Sequence, residues 1–140
     1  MRTFITTCIL CALSVAETAE AKTIYVIANP NIAVSALSQQ ELEDIYLLRQ
    51  PYWPGGNLIV PVNREASSDL RRFFSDIVLK QPPASLNNYW NQMHFRGKSP
   101  PVVQASDDSV IAFVRKIPGA IGYVEDPTSL DGLKIIAKLP

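Results

Sequence analysis

The run Val62-Asn63-Arg64-Glu65-Ala66-Ser67-Ser68-Asp69-Leu70 holds the residues of this chain best suited to gripping a small charged partner. A strand that feeds straight into a helix start presents unpaired backbone N–H groups and the positive end of the helix dipole, and both favour an anion. Arg64 adds a guanidinium able to hold two oxygens of a phosphate or carboxylate, and the hydroxyls of Ser67 and Ser68 can donate to the same ion. Arg71, one turn further along, supplies a second positive charge. The same residues fit a purely structural role, in which Ser67 or Ser68 caps the helix, Asp69 favours its dipole and Arg64 forms a surface ion pair. Both readings fit the residues.

Other chemistry has little to work with. His94 is the one histidine, and it reads as a partly exposed residue near a helix end. The two cysteines, Cys8 and Cys11, fall in the N-terminal segment discussed below, so a transition-metal site has almost no ligands. One histidine and no cysteine beyond that segment offer no Ser-His-Asp or Cys-His set, and Glu41, Glu43 and Asp44 read as a solvated helix face. No enzyme activity and no cofactor or metal is expected. Lys and Arg total 13 against 13 for Asp and Glu, and a balanced chain lacks the basic excess that nucleic acid demands.

Residues 1–21 read as an export signal. Arg2 gives a positive start, residues 4–15 form an apolar run of signal-peptide size, and Ala19-Glu20-Ala21 fits a small-x-small cleavage site before Lys22. The run is too short to span a bilayer, and neither cysteine sits in a lipobox. The expected product is a soluble periplasmic protein with one domain over residues 22–140. It would contain no disulfide and rely on its hydrophobic core alone, which that length allows.

The elements that position the anion turn follow from periodicity and punctuation. Residues 24–28, IYVIA, form a continuous β-branched run that predicts a buried strand ended by Asn29-Pro30-Asn31. Ser38 and Glu41 form a capping box for a helix with Leu42, Ile45 and Tyr46 on its buried stripe. A loop at 47–57, with Tyr52 and Trp53 among prolines and glycines, leads to a strand over 58–62, where Pro61 suggests an N–H that no neighbour needs. Leu70, Phe73, Phe74, Ile77 and Val78 predict one helix over 68–80, and Leu86, Tyr89, Trp90 and Met93 give the next helix a packed apolar face. A short strand over 102–104 precedes a helix capped by Ser106, with Asp107 and Asp108 in its first turn and Pro118-Gly119 as its stop. Ala120-Ile121-Gly122-Tyr123-Val124 then forms a buried strand whose small residues imply a close neighbour, and a last strand covers 133–139. Strands alternating with helices predict an α/β sandwich.

The stretch SDDSVIAFVRKIPGAIGYV at 106–124, together with LSQQELEDIYLLRQPYW at 37–53 and IVPVNREASSDLRRFF at 59–74, resembles the second lobe of the phosphate-binding receptors of ABC transporters, which are type II periplasmic binding proteins. The resemblance covers residues 24 to about 125 and one lobe only. It implies a mixed sheet flanked by helices, with the strands at 24–29 and 120–124 side by side as the two crossings between lobes, and 133–139 covering the edge left exposed. It also implies that Arg64 and Ser68 match the arginine and serine of the family's anion turn. Ala66 then replaces an acidic acceptor, Ser67 and Asp69 replace glycines, and Leu70 replaces a threonine.

Two functions follow as expectations. In the first, the chain is a periplasmic solute-binding-like protein that takes inorganic phosphate or a similar oxyanion through Arg64, Ser67, Ser68 and Arg71, with a link to phosphate ABC transport. One lobe supplies one wall of a cleft, so a second copy of the chain or another protein would be needed for tight binding. In the second, a lobe that has lost its ligand serves as a protein-contact module, presenting the Tyr52-Trp53 loop or the crossing edge to a periplasmic or membrane partner.

Overall fold

The computed structural model describes residues 22–140, and the export signal expected at residues 1–21 lies outside them. Strand β1 (Ile24–Ala28) is almost wholly buried, as a β-branched run without polar alternation should be. Helix α1 (Gln39–Tyr46) starts on its capping box: Ser38 Oγ accepts the Glu41 N–H, and the Glu41 carboxylate accepts the Ser38 N–H. Strand β2 (Val60–Arg64) begins later than the expected 58–62, because Leu58 bridges to Tyr52 across the Pro-Gly-Gly loop.

Helix α2 (Asp69–Phe74) passes directly into a π-helical turn, Ser75–Leu79, where one regular helix was expected, and Lys80 ends it at a φ of 56°. The wider turn keeps both Val78 and Leu79 on the buried side with Leu70 and Phe74. A 3-10 turn, Pro83–Leu86, leads into α3 (Asn87–Phe95). Strand β3 (Val102–Gln104), helix α4 (Asp107–Lys116), β4 (Ala120–Val124) and β5 (Lys134–Leu139) complete the described chain.

The strands form a mixed sheet in the order β3-β2-β4-β1-β5. β2 runs parallel to β3 and β4, while β1 is antiparallel to β4 and β5. The two strands expected side by side do pair: Tyr25 lies opposite Val124 and Ala28 opposite Ile121, with β5 on the other edge of β1. Pro61 is tolerated inside the sheet because β3 pairs with β2 only from Val62 onward, leaving the strand beside Pro61 open.

Side-chain alternation gives each face its own core. Ile24, Val26, Ile121 and Tyr123 pack under α1, α2 and the π turn, whereas Ile27, Val62, Ala120 and Val124 pack under α4. Gly122 lets α4 approach closely, since a Cβ there would lie 2.7 Å from Val110 Cγ1.

Candidate functional site

In a sheet of this kind, ligands favour the carboxyl ends of parallel strands at the place where successive helices depart over opposite faces. β2 and β3 meet that description. The chain leaves β2 through α2 on one face and leaves β3 through α4 on the other, and Arg64 and Gln104, the last residues of the two strands, are register partners. The anion turn predicted from sequence therefore sits at the switch point of the sheet.

The structure places its four residues differently from one another. Arg64 directs its guanidinium toward the start of α4, pairing Nη1 with Asp107 and donating from Nη2 to the Ala105 carbonyl at 3.2 Å. The pair is half-buried, not the surface bridge that sequence suggested. Arg71 folds back so that Nη1 donates to the Arg64 carbonyl at 2.9 Å. Ser68 is the N-cap of α2, its Oγ accepting the Arg71 N–H, and its own N–H is spent on the Glu65 carbonyl at 2.9 Å. Ser67 is exposed on the turn. Asp69 sits on the exposed side of α2 and pairs with Arg72.

Arg71 is thus anchored on the backbone end of β2, while Arg64 reaches from that end to the start of α4, and each keeps a buried Nε–H without a hydrogen-bond partner among the described residues. A buried donor left unpaired costs about 1–3 kcal/mol. Beneath them the Tyr123 hydroxyl donates to Asn63 Oδ1 and accepts the Arg64 N–H at 3.3 Å. Burial pushes this phenol well above its ordinary range; the hydrogen bond with the Arg64 backbone and the charges of Arg71 and Arg64 oppose that rise.

Sequence reasoning missed three members of this cluster. Asp107 was read as a helix-dipole residue, yet its second oxygen also accepts the N–H groups of Glu125 and Asp126, both at 3.0 Å, so it ties together the ends of β2, β4 and α4. Asn63 was read only as part of the anion-turn run, with no role of its own, and Tyr123 only as a strand residue. Nothing local marked the contact between them, which spans 60 positions. In the aromatic loop, Trp53 packs on its own domain, 2% exposed and donating from Nε1 to the Gly119 carbonyl at 2.9 Å, which leaves Tyr52 as the loop's exposed ring.

The described chain has the fold of a single lobe of a type II periplasmic binding protein. It superposes with a TM-score of 0.65 at 24% identity on a Clostridium perfringens protein described as a phosphate ABC transporter substrate-binding protein with bound phosphate, covering 82% of this chain and 45% of that one. PstS from Borrelia burgdorferi gives 0.63 at 20% identity over 83% of this chain and 47% of that one. An ABC-type phosphate transport receptor from Vibrio cholerae gives 0.62 at 21% identity, over 82% and 46%. The chain therefore spans less than half the length of these structures, as one lobe would. No protein-family profile and no curated protein matches the sequence.

Proposed function

We propose that this chain is an exported, periplasmic solute-binding-like protein that takes phosphate or a similar oxyanion at the end of β2, in the service of phosphate ABC transport. Arg64 and Arg71 supply the positive charge, and Ser67 and Ser68 frame the turn. The observation that supports the proposal is a pair of arginines held at the end of β2, each with an unpaired buried Nε–H, in a fold shared with phosphate receptors. The role is one of binding, not catalysis.

Asp107 already holds one Arg64 nitrogen, so an incoming oxyanion competes with it for the guanidinium. Calorimetric titration of residues 22–140 with phosphate and with sulfate tests the proposal. Heat should appear with the native chain and vanish in Arg64→Ala and Arg71→Ala. Absence of heat with both anions would sink it and favour a protein-contact module instead. That alternative draws on Tyr52 and Leu58, which are 58% and 56% exposed, with Leu58 at the rim of an apolar cavity of about 390 Å³.

A further inference from the structure

A second cavity, of about 420 Å³, opens directly beside the anion turn and shares Ala66 and Arg71 with it. Arg72, Pro82, Pro83 and Trp90 form the rest of its main wall, and Asn87 adds a side-chain amide. This size suits a small organic molecule, and a tetrahedral oxyanion would fill only part of it. Among the described residues two arginines and no carboxylate line the space; Asp69 reaches Arg72 from the exposed side of α2. The opposite wall is apolar and braced. Trp90 packs edge-on against Tyr89 with ring centres 5.1 Å apart, and the Tyr89 hydroxyl is anchored on the Leu47 carbonyl. Pro82 and Pro83 add rigidity at the neck between the π turn and α3.

We infer that this lobe accepts an organic phosphomonoester, with the phosphoryl group at Arg71 and the turn and a planar apolar group on Trp90. The inference rests on the anion reading above and extends it to the class of ligand. It gives Trp90 a role beyond the packed stripe that its spacing suggested: the ring is only partly buried and forms the wall of a charged cavity. Stacking on one aromatic ring should tighten binding about tenfold relative to the bare anion.

The test uses a Trp53→Phe background, in which Trp90 is the remaining tryptophan. Phenyl phosphate, inorganic phosphate and phenol are titrated by fluorescence and calorimetry. Phenyl phosphate should quench Trp90 and bind about tenfold tighter than phosphate. That advantage should disappear in Trp90→Ala and in Ala84→Phe, since Ala84 also lines the cavity and is exposed, so the larger side chain would fill it, while phosphate heat persists in both. Equal affinities for phenyl phosphate and phosphate would overturn the inference and leave the anion reading standing. Quenching by phenol as strong as by phenyl phosphate would also overturn it, since the anion would then play no part. No binding of either phosphate compound would overturn both readings.

Discussion

Asp107 and Arg64 decide how available the site is. The carboxylate accepts from a guanidinium and from two backbone N–H groups, a donor set that a free oxyanion would also use. Asp107→Ala should therefore have two opposite effects. Stability should fall by about 1–3 kcal/mol, because three donors lose their acceptor. Phosphate affinity should rise, because the same donors become open to the ion and a repelling charge is gone. Chemical denaturation with and without phosphate reads both effects, and the variant should regain part of its loss as phosphate is added. A uniform loss that phosphate does not relieve would mark Asp107 as a structural staple only. Arg64 was identifiable in the sequence because a strand, an arginine and a serine cap occur together over a few residues. Asp107 was not, since it reaches Arg64 across 43 positions and no local pattern encodes that contact.

At the scale of elements, one residue ties α4 to the sheet and another fixes the turn that follows it. Asn29, buried at the end of β1, donates to the Val114 carbonyl at 3.0 Å and to the Arg115 carbonyl at 3.3 Å, closing the last turn of α4, while its Oδ1 accepts the Asn31 N–H. Gly119 turns the chain into β4 at a φ of 78°, and a Cβ there would lie 2.1 Å from the Leu58 carbonyl oxygen. Gly119→Ala combines a left-handed backbone cost of about 1–2 kcal/mol with overpacking of about 1–3 kcal/mol. The summed loss should show as a lower denaturation midpoint with an unchanged slope. The stop signal at Pro118-Gly119 and the close approach at Gly122 were both readable from residue type alone. The break of α2 into a π turn was not, because its apolar stripe fits a regular helix equally well and only the packing of Leu79 beside Val78 reveals the wider turn. The bulge between Val26 and Ile27 was hidden for the same kind of reason. It lies where the Ile136 carbonyl turns away from β1 to accept the Leu37 N–H at 2.9 Å, a contact with a loop distant in sequence.

For the molecule as a whole, a single lobe sets the strength of binding. A cleft that held an ion at about 1 μM with two walls would retain roughly half of its 8 kcal/mol with one, which corresponds to about 1 mM. The calorimetric titration should thus give millimolar affinity, tightening only where a second copy or another protein supplies the facing wall. The same sheet has a further consequence. Ile24 lies directly opposite Leu139 on neighbouring strands, so the first and last strands of the described residues bring their outer ends to one place. A short peptide joining those points, with the chain reopened between Gly55 and Gly56 in their exposed loop, should give a circular permutant that folds to the same secondary structure by circular dichroism. A domain with this layout behaves as a cassette: it can be spliced into a surface loop of an unrelated host without parting the strands on either side of the insertion.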